Sequence, residues 1–102
     1  LLAAAGEKRV RAVALLSQGA DYFGVDALAP ARRFQGALFA VASEDDPVTS
    51  SPPGTRAIAE AHEGPEEIRI LPKGGHGVSL LATHAKLAGE IAAFLATAAT
   101  AP

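Results

Sequence analysis

The sequence predicts an α/β fold: a three-layer unit of about three parallel strands in one sheet, flanked by helices. Three observations point there. Short apolar runs recur three times, and each stops at a turn-forming, acidic or glycine-rich loop. Helical patterning or helix-starting chemistry fills the intervals. Strands that alternate with helices pair in parallel through crossover connections. The chain is 102 residues long, which suits one domain at most, since domains run to about 100–150 residues.

The first strand is expected over residues 10–16, Val-Arg-Ala-Val-Ala-Leu-Leu, ended by the turn-like Ser17-Gln18-Gly19. Gly24 and Pro30 punctuate residues 20–33, where a short helix near Val25 to Leu28, close to Asp26, is the expectation. A second apolar run, Ala37-Leu38-Phe39-Ala40-Val41-Ala42, stops at Ser43-Glu44-Asp45-Asp46-Pro47. Ser50-Ser51-Pro52-Pro53 then offers a capping serine and prolines in a first turn. A helix should cover residues 55–63, with Ala57, Ile58 and Ala61 on one face, until Gly64-Pro65 stops it. Ile68-Arg69-Ile70-Leu71 is the third strand, closed by Pro72 and followed by the loop Lys73-Gly74-Gly75-His76-Gly77. Residues 83–98 read as a helix, because Leu87, Ile91, Phe94 and Leu95 fall at i, i+4, i+7 and i+8. Residues 97–102 should fray.

Composition excludes several classes. Nine basic against eleven acidic residues leave a net charge of −2, so there is no electrostatic footprint for nucleic acid or an anionic membrane. Cysteine is absent, which removes disulfides, thiolate metal sites and cysteine nucleophiles. The longest uncharged stretches reach about twelve residues, short of the roughly 20 that a membrane helix needs. No secretory-type signal opens the chain, and a cytoplasmic location is expected. There is no methionine, and Leu1-Leu2-Ala3-Ala4-Ala5-Gly6 reads like a helix end with a glycine cap. The chain is therefore expected to be a piece of a longer protein. Its alanine content suggests a GC-rich bacterial genome.

Open α/β sheets carry their sites at the carboxyl ends of the strands. Those ends hold Ser17-Gln18-Gly19-Ala20-Asp21, then Ser43-Glu44-Asp45-Asp46, then Gly74-Gly75-His76-Gly77. Adjacent parallel strands would bring the acidic loop beside the histidine. A carboxylate against an imidazole fixes its tautomer and stabilises the imidazolium, which is the base half of a nucleophilic triad. His84 at a helix start and His62 on a polar helix face are expected to face solvent. The glycine loop lacks a phosphate-binding ending or spacing, and no cofactor or metal is expected.

These segments resemble the C-terminal part of the α/β-hydrolase fold, of the small bacterial dienelactone-hydrolase-like or serine-esterase type. The resemblance rests on residues 38–47 (Leu-Phe-Ala-Val-Ala-Ser-Glu-Asp-Asp-Pro), on residues 68–77 (Ile-Arg-Ile-Leu-Pro-Lys-Gly-Gly-His-Gly), and on residues 14–24, which look like the sixth strand and its exit. It spans nearly the whole chain, as a single partial domain over residues 1–102. It implies that Asp46 is the triad acid, with Asp45 and Glu44 as rivals, and that His76 is the triad histidine. The family's nucleophile motif, Gly-x-Ser-x-Gly, does not occur here, nor does an oxyanion loop. The nucleophile is therefore expected outside the chain, and the isolated chain is expected to be inactive. Ser17, Asp46 and His76 do occur in the family's order. However, only 28 residues separate Ser17 from Asp46, and Leu15 replaces the first glycine of an elbow, so Ser17 is expected to be a loop residue at the site mouth.

The function expected is hydrolysis of an ester or lactone, with a small ester-like molecule as substrate. The rival expectations are a non-catalytic binding or assembly module built on this fold and an unrelated flavodoxin-like module. The strand opening at Val10 and closing at Leu16 would form an exposed edge, so a homo-oligomer through that edge is expected.

Overall fold

A computed structural model describes residues 1–22 and 24–100. Its elements run α1 (Leu2–Ala5), β1 (Ala12–Leu16), β2 (Asp21–Tyr22), β3 (Val25–Asp26), α2 (Leu28–Arg33), β4 (Ala37–Ser43), α3 (Ser51–Ala61), β5 (Glu66–Leu71), α4 (Ser79–Thr83) and α5 (Leu87–Thr100). Strands β1, β4 and β5 form a parallel three-stranded sheet in the order β1-β4-β5. The sheet is flanked by helices, as the alternating pattern predicts.

Strand β4 lies in the middle and is buried at all seven positions, because a central parallel strand is covered on both faces. Its side chains alternate between two cores. Leu38 and Ala40 join Ala27, Ala31 and Ile58 on the α2–α3 side, with Val13 and Leu15 of β1 against them. Phe39 and Val41 join Leu80 and Leu87 on the α4–α5 side, with Ala14, Leu16 and Ile91 against them. Phe94 meets Phe39 edge-on, with ring centroids 5.4 Å apart. The helical face read from Leu87, Ile91 and Phe94 is thus the face that covers the sheet.

β1 sits at a sheet edge. The Arg11 carbonyl accepts from the Ala37 amide and the Ser17 amide donates to the Val41 carbonyl. Odd-numbered residues therefore turn their backbone groups toward β4, and Ala12, Ala14 and Leu16 turn theirs away from it.

Several boundaries differ from the sequence reading. The helix expected near Val25 begins at Leu28, since Val25–Asp26 pairs with Asp21–Tyr22 in a short antiparallel ribbon. Pro30 lies inside the first turn of α2, where a missing amide costs nothing. The carboxylate of Asp26 accepts from the Leu28 and Ala29 amides at 3.0 and 3.2 Å. β5 starts at Glu66 rather than Ile68. The expected 83–98 helix is two helices broken at His84, whose extended backbone (ψ 95°) ends α4. α5 is helical through Thr100; positions 101 and 102 of the expected frayed end lie outside the described residues. Among the described residues, no helix is long and apolar enough to cross a membrane.

Candidate active site

The parallel sheet brings the carboxyl ends of β1, β4 and β5 to one side, and with them Ser17, Asp46 and His76. The imidazole Nδ1 of His76 lies 2.7 Å from Asp46 Oδ2. The Asp46 side chain is fully buried, whereas the His76 ring is 49% exposed. The sequence expectation that this acid and this imidazole would meet at the strand ends holds in the geometry.

The local fold aims the carboxylate. After β4 the chain turns at Asp46, whose amide bonds the Ser43 carbonyl. Asp46 Oδ1 then accepts from the Val48 amide at 2.7 Å, just ahead of α3. Ser51, the first residue of α3, adds its hydroxyl. Burial alone would push the Asp46 carboxyl up. The bonds from His76, the Val48 amide and the Ser51 hydroxyl, with the His76 charge, hold it below the usual carboxylate range instead. An ionised Asp46 can only accept, so Nδ1 is the donor to it. Among the described residues Nε2 has no hydrogen-bond partner.

The rivals of Asp46 have other partners. Asp45 Oδ1 accepts from the Gly74 and Gly75 amides at 3.0 and 2.9 Å and lies 2.7 Å from Ser43 Oγ. The Ser43 hydroxyl first, then the Gly75 and Gly74 amides, lower its pKa against the opposing effect of burial. Glu44 pairs with Arg56 at the surface, at 2.8 Å. Adjacent acids thus divide the work: Asp46 faces the ring and Asp45 ties down the loop that carries it.

That loop needs its glycines. Gly74, Gly75 and Gly77 have φ of 145°, 76° and 61°, which side-chain-bearing residues rarely adopt. A Cβ on Gly75 would also come within 2.6 Å of Ser79 Oγ.

Two expectations about histidine are corrected. His62 does not face solvent. Its side chain is fully buried, stacked on Phe34 at 5.8 Å and bonded to the Gly36 carbonyl and to Glu66 at 2.8 and 3.2 Å. It stands where α3 has ended and the backbone is extended, so helical periodicity no longer sets its direction. His84 is half-buried, with Nε2 2.6 Å from the Lys73 carbonyl.

Ser17 is buried rather than set at the rim, at 6% exposure. It is also the one non-glycine residue with positive φ, 61°, among the described residues. Such a conformation costs about 1–3 kcal/mol. Its Oγ accepts from the Gly77 amide at 2.8 Å. Neither the role of Ser17 nor that of Ser51 was legible beforehand; Ser51 showed only the general Ser-Pro helix-start signal.

A cleft of about 1040 Å³ opens at the opposite, amino-terminal end of the strands, bordered by Lys8, Arg33, Gly36, Pro65 and Phe94. Arg69 on its wall pairs with both Glu67 and Glu90, and no histidine lines it. Among the described residues, no cluster of three or more His, Asp or Glu is placed to hold a metal ion.

No protein-family model matches the chain, and neither a curated protein nor a solved structure matches it.

Proposed function

We propose that the chain is the C-terminal part of a serine-type α/β hydrolase that cleaves an ester or lactone bond. Asp46 is the acid and His76 the base, and the nucleophile lies outside these 102 residues. The observation that supports this most is the buried, ionised Asp46 bonded at 2.7 Å to the Nδ1 of a half-exposed imidazole. Burial on one side and exposure on the other leave Nε2 as the working atom.

In the reaction His76 Nε2 removes the proton of a serine hydroxyl as that oxygen bonds to the substrate's carbonyl carbon. Asp46 stabilises the imidazolium that results. The imidazolium returns its proton to the departing alkoxide as the carbon–oxygen bond breaks, leaving an acyl-enzyme. Water then repeats the sequence and frees the acid. Donors for the oxyanion come from outside the chain as well. The substrate is a small ester-like molecule, no cofactor is required, and the protein is cytoplasmic and bacterial.

The test begins upstream. The coding sequence before Leu1 is expected to carry Gly-x-Ser-x-Gly, and a fluorophosphonate should label that serine in the protein it encodes. Labelling should collapse in His76→Ala. An upstream sequence with no nucleophile motif would make this a binding or assembly module instead, and labelling indifferent to His76 would remove His76 as the base.

A further inference from the structure

His76 sits in a loop that is held on both sides by different groups. On the amino side, Asp45 holds the Gly74 and Gly75 amides, and Ser43 Oγ lies 2.9 Å from the Gly75 carbonyl. Packing adds to this: a Cβ on Gly74 would come within 2.8 Å of Leu80 and 3.1 Å of His84. On the carboxyl side the Ser79 amide and hydroxyl reach the His76 carbonyl at 3.3 and 2.8 Å, and the Leu80 amide reaches the Gly77 carbonyl at 3.1 Å. A Cβ on Gly77 would meet nothing within 4 Å among the described residues. What holds the Gly77 amide is the Ser17 oxygen, at 2.8 Å.

Ser17 comes from β1, so this bond links the histidine loop of one edge strand to the other edge strand, across the end of β4. The turn that presents it is rigid. The Ser17 amide is bonded to the Val41 carbonyl, and Thr55 Oγ1 donates to the Gln18 carbonyl at 2.8 Å. Gly54 of α3 lies so close that a Cβ there would approach the Ala20 nitrogen to 2.6 Å. Glycine at position 17 would take the positive φ without strain but would offer no oxygen. Backbone strain at a site points to a function for the strained residue.

We propose that Ser17 is a positioning residue for His76: its hydroxyl oxygen holds the Gly77 amide and so fixes the imidazole from the carboxyl side of its loop. The inference rests on His76 being the base of the proposed hydrolase. It assigns Ser17 no contact with substrate; the oxygen accepts from a backbone amide, and among the described residues it makes no bond to the His76 ring.

The experiment is NMR on the 102-residue chain, comparing wild type with Ser17→Gly, Ser17→Ala and Asp46→Asn. Wild type should show a slowly exchanging His76 Nδ1–H resonance that Asp46→Asn abolishes. In both Ser17 variants the Gly77 amide should exchange about tenfold faster, matching the loss of one hydrogen bond. The Gly75 amide, held by Asp45, should not change, and the Nδ1–H resonance should broaden. Ser17→Gly also relieves the strained φ, so it should stay folded even where Ser17→Ala does not. Unchanged Gly77 exchange and an unchanged ring signal in a folded variant overturn the positioning role while leaving the acid–base pair intact. Faster Gly77 exchange with an unaltered ring signal overturns it too, since the bond would then be structural only. A wild-type ring with no Asp46-dependent Nδ1–H removes the base itself, and the positioning role with it.

Discussion

Replacing Asp46 with alanine strands three groups, and the structure says what each one loses. Ser51 is 1% exposed, and losing the carboxylate that its hydroxyl serves costs about 1–3 kcal/mol. Val48 is 48% exposed, so its amide rehydrates at little cost. The half-exposed His76 ring also rehydrates and forfeits about 1 kcal/mol for its hydrogen bond. The expected loss is therefore about 2–4 kcal/mol of a stability on the order of 5–15 kcal/mol. Urea unfolding followed by circular dichroism measures it, since a domain of this size should unfold in one step. The pH dependence supplies a second check. The Asp46 carboxyl is held below its ordinary range in the folded state, so its ionised form stabilises the fold. That contribution is complete above the unfolded value of about 3.9 and is lost as pH falls through the folded value. The gap between wild type and Asp46→Ala should be flat at neutral pH and should narrow in acid, below about pH 4. A loss under about 0.5 kcal/mol, the range of an ordinary surface change, would refute the reasoning. So would a gap that stays constant into strong acid.

Other outcomes follow from the same geometry. His62→Ala should cost about 2–4 kcal/mol in the same assay, because it removes a buried ring with two hydrogen bonds; a loss near zero would mean that the ring is not buried in solution. With Ala12, Ala14 and Leu16 turned away from β4 at the sheet edge, the chain should sediment as a dimer or larger assembly at tens of micromolar. Folded monomer at that concentration would contradict the expectation. The isolated chain should give p-nitrophenyl acetate no His76-dependent turnover above the background of free imidazole, and a rate abolished by Ser17→Ala would make Ser17 the nucleophile.

The parts of the fold that were readable in advance are those where burial dictates composition. β4 is covered on both faces, so it is a continuous apolar run that can hardly be anything else, and the acid cluster that ends it marks the site edge. Leu87, Ile91 and Phe94 disclosed the inner face of α5 for the same reason. What stayed hidden was set by tertiary contacts. Glu66 and Glu67 extend β5 because β5 is an edge strand whose register with Leu38 and Phe39 tolerates charged, solvent-facing side chains. His62 stands between glutamates in a helical pattern, but the helix ends before it and the ring turns under Phe34. Asp45 and Asp46 have the same chemistry and adjacent positions, and the turn that sends the two carboxylates to different partners exists only in three dimensions. Leu-Leu-Ser-Gln-Gly reads as an elbow without its first glycine, and that missing glycine argued against the strained serine backbone found at Ser17.

In the proposed function Asp46 and His76 form the oriented base of a serine-type hydrolase. Ester turnover by the protein encoded together with its upstream sequence tests it most directly, comparing wild type with His76→Ala and Asp46→Asn. His76→Ala should remove nearly all of the triad's contribution to kcat. Asp46→Asn should lower kcat by as much as about 10⁴-fold, the cost of a wrong tautomer in a triad, with little change in KM. Turnover that survives both substitutions at the wild-type rate would contradict it.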